Sequence, residues 1–146
     1  MARRISIVQG HPDPSGGRLC HALADAYAGG AQGAGHEVRR VEVARLEFPL
    51  LRTQAEFEAG AAPPEIQIAQ EAIHWAEHLV IVYLLWLGTM PALLKGFLEQ
   101  AFRPGFAFDP GAMGLWDKRP RAGQRGSSSR WACRRWSIAG ISAPAA

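Results

Sequence analysis

Nine apolar residues in succession, Leu79 to Leu87 (LVIVYLLWL), leave no position where a polar side chain faces water. A strand with one solvated face alternates polar and apolar residues. A strand covered on both faces, as in a parallel sheet, reads as an unbroken apolar run. The run is far short of the ~20 residues needed to span a bilayer. It therefore predicts the central strand of an α/β sheet. Gly88-Thr89 breaks the run, and Pro91 stands where a helix begins, with Thr89 placed as its N-cap. Leu93, Leu94, Phe97, Leu98 and Phe102 give that helix, 91–102, an apolar side, and Arg103-Pro104-Gly105 stops it. The unit is strand, tight turn, helix. In open α/β sheets ligands bind in such turns, at the carboxyl ends of the strands.

The preceding chain supplies partners for that strand. Ile5 to Gln9 is a short β-rich run, followed by the loop GHPDPSGGR and a helix with Leu19, Ala22, Leu23, Ala26 and Tyr27 at helical spacing. Gly29-Gly30 weakens this helix and Gly35 ends it. EVRRVEVARL, residues 37–46, reads as a second strand whose polar residues suit a sheet edge. An irregular stretch from Phe48 to Pro63 leads to a helix starting near Pro64, with Ile66, Ala69, Ile73 and Ala76 on its buried side. The order βαβαβα predicts a doubly wound parallel sheet.

Charge divides the chain differently. Residues 1–116 carry nine basic and twelve acidic side chains, whereas 117–146 carry seven basic and one acidic. The basic character thus belongs to the last thirty residues. These show neither helical nor strand periodicity and are expected to be largely unstructured. The chain accordingly reads as a domain over 1–116 and a basic tail over 117–146. The start of the chain lacks an apolar signal region, which predicts a cytoplasmic protein. Cys20 and Cys133 form no disulfide framework or metal spacing, and Cys20 fits a small residue on a helix face.

Two bends carry the residues suited to chemistry. In the first, Gly16-Gly17 lets backbone N–H groups at a helix start approach an anion, and His11, Ser15 and Arg18 add donors. The pattern is neither GxGxxG nor a Walker A loop, and an ordinary polar loop has the same composition. In the second, Trp86 at the end of the central strand lines a flat ligand or belongs to the core. His21, His36, His74 and His78 show no metal-ligand spacing, and no nucleophile elbow occurs.

Together QGHPDPSGGRLCHALADAYAGGA, the central strand with GTMPALLKGFLEQAFRPGFAF, and GLW near residue 116 resemble the flavodoxin-like NAD(P)H:quinone oxidoreductases. That family includes bacterial quinone reductases and potassium-efflux ancillary proteins. The resemblance covers about residues 4–118. It implies a five-stranded parallel sheet of order 2-1-3-4-5, FMN or FAD as cofactor, NAD(P)H as donor, a quinone acceptor and a homodimer. It implies that His11, Gly17, Arg18, Leu19 and Cys20 surround the flavin phosphate, and that Leu84, Leu85, Trp86, Leu87 and Gly88 run along the isoalloxazine. The reaction implied is two-electron ping-pong hydride transfer, from NAD(P)H to flavin and from flavin to quinone. Catalytic side chains are not assigned.

The chain departs from the family at two places. Leu84-Leu85-Trp86-Leu87 replaces the usual Pro-Leu-x-Trp, which removes an aromatic from the platform beside the ring. The fourth and fifth strands lack a counterpart, so the expected sheet is 2-1-3 with strands 4 and 5 missing or degraded. A truncated or frameshifted C-terminus accounts for this, and implies weakened flavin binding and activity. The central strand's free edge then predicts aggregation or pairing with another chain. A non-catalytic flavodoxin-like module that binds a partner protein is the alternative, and a basic-tailed nucleic-acid binder ranks last. Neither nucleic acid nor a membrane span is expected.

Overall fold

The computed structural model describes residues 1–104 and 106 in full, and residues 136–142 as backbone. Its elements are β1 (Arg4–Gln9), α1 (Leu19–Gly33), β2 (Glu37–Glu42), a 3₁₀ turn at Val43–Arg45, α2 (Gln54–Ala59), α3 (Pro64–Trp75), β3 (His78–Leu85), α4 (Ala92–Ala101) and β4 (Trp136–Ser142). All strand pairs are parallel, in the order β2-β1-β3-β4. The expected order 2-1-3 is present, with the polar β2 at an edge.

β4 corrects the expectation that a fourth strand is missing. It pairs along nearly the whole of β3, from Leu79 opposite Trp136 to Leu85 opposite Ser142. The free edge of β3 presents a row of backbone donors and acceptors that must be paired once its side chains are buried. WSIAGIS fills that need through backbone bonds, for which side-chain periodicity is not required. The expectation of an unstructured tail fails at these seven residues. Residues 105, 107–135 and 143–146 lie outside the described residues, and with them the GLW segment and the expectation that a fifth strand is missing or degraded.

The helices cover both sheet faces. On one side α1 lays Cys20, Ala24 and Ala28 on Ile5, Ile7, Val80 and Val82. On the other, Ile66, Ala69 and Ile73 of α3 and Leu94 and Phe97 of α4 enclose Val8, Val41, Leu79 and Ile81. The side of α1 that is buried differs from the expected one, because Leu19, Leu23 and Tyr27 are exposed. Small side chains at positions 20, 24 and 28 let the helix approach the sheet closely, and the larger ones remain outside. Gly29 and Gly30 lie within α1, and Gly35, with φ in the left-handed region, follows its C-cap Ala34.

Two further details differ from the sequence expectation. The second strand stops at Glu42, where the chain turns through Val43–Arg45. The stretch after Phe48 holds α2, capped by Thr53, whose Oγ1 accepts from Glu56 N at 3.2 Å. Six residues are too few to show a helical period. Arg103, buried beyond α4, donates to the carbonyls of Glu56 (2.9 Å) and Gly60 (2.7 Å) and to Gln100. Gln100 in turn donates to Pro49 O, so the irregular stretch is pinned to the end of α4.

The connection from β1 runs to β2 on one side, and β3 returns on the other side of β1. The carboxyl ends of β1 and β3 therefore flank the point where strand order reverses, which is where an open α/β sheet leaves a crevice.

Candidate functional site

The two bends at that crevice are held by different means. After Gln9 the chain passes between β3 and α4: Gly10 N donates to Val82 O at 2.8 Å, and a Cβ at residue 10 would lie 2.7 Å from Leu94 Cδ2. Any larger residue here would force the buried Leu94 side chain to shift. The buried Gln9 accepts His11 N–H on Oε1 at 3.0 Å, and His11 Nδ1 accepts Asp13 N–H at 3.0 Å. Accepting on Nδ1 fixes the neutral tautomer of His11 with its proton on Nε2. Burial lowers the His11 pKa, and the neighbouring His21 lowers it further, which favours the same neutral state.

Asp13 organises the rest of this loop. One carboxylate oxygen accepts from Ser15 N at 3.0 Å and from Ser15 Oγ, and the other accepts from Arg18 Nε at 3.2 Å. The Ser15 hydroxyl and amide, followed by the Arg18 guanidinium, hold its pKa down to about 2. Gly16 and Gly17 both have φ in the left-handed region (79° and 73°), where side-chain-bearing residues are strained. Arg18 then takes the N-cap position of α1 without a side-chain cap, and the first turn has no acidic residue. The leading amides of α1 lack intrahelical acceptors and carry the positive end of the helix dipole.

The second bend is a two-residue turn. Trp86 N donates to Thr89 O at 2.8 Å, and Thr89 N donates to Trp86 O at 3.0 Å. Leu87 (φ 50°) and Gly88 (φ 79°) both occupy the left-handed region, which makes this a type I′ turn. Leu87 is fully exposed and Trp86 is half exposed. Thr89 is part of this turn, so it does not cap α4 as expected. Pro91 takes the N-cap position, and its carbonyl accepts from Lys95 N.

The bends meet. Trp86 lines an open recess of about 480 Å³ together with His11, Pro12, Asp13 and Arg18. Of the residues expected at a site, His11, Arg18 and Trp86 share this recess. Gly17 shapes the loop, and Leu19 and Cys20 begin α1. The Cys20 side chain lies in the core, where burial pushes its thiol pKa up, so only its amide faces the helix end. Leu84 packs on the α1 side of the core, Leu85 is half-buried, and Leu87 and Gly88 form the turn tip. Pro12 and Asp13 were not singled out by sequence reading. The Asp-x-Ser spacing of 13 and 15, a side-chain-stabilised turn signal, marks the second of them.

The donor set suits a phosphate-bearing flat ligand. His11 Nε2–H, the Arg18 guanidinium and the uncapped amides of α1 are all donors, and the carboxylate of Asp13 is already engaged. Gln9 Nε2 and His21 Nδ1, both buried, lack hydrogen-bond partners among the described residues. Trp86 adds an aromatic side chain to the recess that His11 and Arg18 line. No group of three or more metal-ligating side chains occurs among the described residues, and no described helix is long and apolar enough to cross a membrane.

Comparison with known proteins agrees with this architecture. The chain is 26% identical over 122 residues to a ribosyldihydronicotinamide dehydrogenase-like protein of Penicillium crustosum, covering 70% of this chain and 45% of that protein. Over 49 residues it is 39% identical to an uncharacterized NAD(P)H oxidoreductase of Haemophilus influenzae, covering 34% and 24% respectively. The chain therefore spans less than half the length of these curated relatives. Among solved structures, an NAD(P)H:quinone oxidoreductase from Methanothermobacter marburgensis superposes with a TM-score of 0.59 at 25% identity, over 70% of this chain and 55% of that one. A family model described as Flavodoxin-like fold matches residues 3–124. With the strand order, the crevice between β1 and β3 and this match over most of its length, the chain belongs to the family of the flavodoxin-like fold.

Proposed function

We propose that the chain is an NAD(P)H-dependent flavin oxidoreductase that reduces quinones by two-electron hydride transfer, with FMN or FAD held at the β1–β3 crevice. The observation that carries this reading is the meeting of the two bends in one recess, lined by His11 and Arg18 as donors and by Trp86 as an aromatic side chain. The relatives named as NAD(P)H oxidoreductases and a quinone oxidoreductase support the same class. In this reading His11, Gly17, Arg18 and the amides of Leu19 and Cys20 bind the phosphate, while Trp86, Leu87 and Gly88 border the ring beside Leu84 and Leu85. The flavin supplies the redox chemistry when bound. The chain's own residues neutralise the phosphate, orient the ring and shield one side of it from water. The exposed Leu19, Trp86 and Leu87 near this end suit the contact of a homodimer. A cytoplasmic location completes the proposal.

Purified protein tests this directly. It is expected to be yellow, or to become so with FMN or FAD, and then to oxidise NADH or NADPH with a quinone as acceptor. A colourless protein that neither flavin converts overturns the reading and favours the alternative, a flavodoxin-like module that binds a partner protein without catalysis.

A further inference from the structure

His21 is left over from this account. It is the third residue of α1, and its ring lies against that of His11, centroids 4.9 Å apart and planes inclined by 48°. Its Nδ1 is buried and has no hydrogen-bond partner among the described residues. A buried polar atom without a partner is unfavourable, so the nitrogen is not what the site draws on here. The ring itself is in contact with the one buried side chain that lines the recess, since His11 is 8% exposed.

The χ2 torsion of histidine is broad, and a single neutral hydrogen bond restrains it only weakly. For His11 that single bond is Asp13 N–H to Nδ1. The His21 ring, packed against that of His11, adds a second restraint on its orientation and so on the donor Nε2–H. α1 fixes His21 in turn: its N–H donates to Arg18 O at 2.9 Å, within the same helical turn whose leading amides are free.

We infer that His21 is a positioning residue for phosphate recognition, acting through the shape of its ring by locking the donor edge of His11. This deepens the proposed function and rests on the assignment of the phosphate to this end of the crevice. Polarity at position 21 is unnecessary. An apolar ring of similar size is expected to serve as well and to remove the unpaired nitrogen.

The test compares FMN with riboflavin, which differ by the phosphate alone, in fluorescence-quenching titrations of the full chain. The wild type is expected to favour FMN. In His21→Ala the FMN-to-riboflavin affinity ratio is expected to fall by about five- to tenfold, with riboflavin affinity unchanged, the loss of one well-aimed donor to a charged group. In His21→Phe the ratio is expected to be retained and the melting temperature to rise. The imidazole ¹⁵N signals of His11 report the same thing independently: fixed on Nε2–H in wild type and His21→Phe, averaged in His21→Ala. A ratio unchanged in His21→Ala, or lost equally in His21→Phe, overturns the inference. Equal weakening of both flavins assigns His21 a purely structural role and overturns it as well. If His21→Ala does not fold, His21→Phe with lost preference still refutes the inference, and retained preference with fixed His11 signals upholds it. A wild type that binds FMN and riboflavin equally removes the phosphate assignment itself, an outcome separate from any effect of the variants.

Discussion

The two bends at the crevice are built on opposite principles. The loop after β1 is a polar network: Gln9, His11, Asp13, Ser15 and Arg18 hold one another through side-chain hydrogen bonds, and two glycines take the left-handed positions. The turn after β3 has two backbone hydrogen bonds and a leucine where a type I′ turn favours asparagine or glycine. The first bend spends its polar groups on its own shape and leaves donors free at the helix end. The second leaves apolar side chains, Trp86 and Leu87, standing in solvent. A loop that must aim hydrogen-bond donors needs rigidity from side chains, whereas a turn that offers a flat surface needs only its backbone.

The difference predicts unequal responses to substitution. The largest effect is expected at the root of the first bend. Gly10→Val places side-chain atoms where Leu94 already sits, and over-packing a filled core typically costs about 1–3 kcal/mol. Chemical denaturation should show this loss, while the same substitution at the exposed Gly29, where a Cβ meets nothing within 4 Å, should not involve a clash. Equal losses at the two positions would break the view that the first bend is anchored by close packing.

At the second bend the sign reverses. Leu87→Asn should stabilise the protein by roughly 1 kcal/mol, because a left-handed conformation costs about 1–2 kcal/mol for an ordinary residue and less for asparagine. Thermal denaturation checks this. A loss of stability would mean that the exposed leucine makes a contact worth more than its strain, as a subunit interface would provide.

The smallest effect concerns charge. Asp13 has its pKa lowered from 3.8 to about 2 by Ser15 and Arg18. A depressed carboxylate contributes its share of order above the unfolded value and loses it as pH falls through the folded one. The loop is therefore expected to stay closed through pH 4, where exposed carboxylates titrate, and to open only towards pH 2. Carboxyl and Ser15 amide chemical shifts followed from pH 7 to 2.5 measure this. An Asp13 midpoint near 3.8 would show that the network does not hold in solution.

Much of this was legible in the residues. The unbroken run Leu79–Leu87 announced a strand covered on both faces, and the order of elements announced the parallel sheet. The glycines at 16 and 17 marked a sharply bent loop after β1, and both take left-handed φ. What escaped was of two kinds. α2 and β4 are too short, or too poor in periodic apolar residues, to stand out locally. β4 is held by backbone pairing with β3, and α2 is pinned by Arg103, beyond α4, through the carbonyls of Glu56 and Gly60. The helical spacing of Leu19, Ala22, Leu23, Ala26 and Tyr27 did not mark the buried side of α1, because the residues that pack on the sheet are the small Cys20, Ala24 and Ala28.

The sequence by itself determined the class of fold, the two bends and the residue types placed on them, because hydrophobic period and glycine position act within a few residues of chain. Only the tertiary structure decided that His11, Asp13, Arg18 and Trp86 face one recess and that His21 backs His11. Those contacts depend on β1 and β3 lying side by side, which joins positions about seventy residues apart that local patterns do not relate.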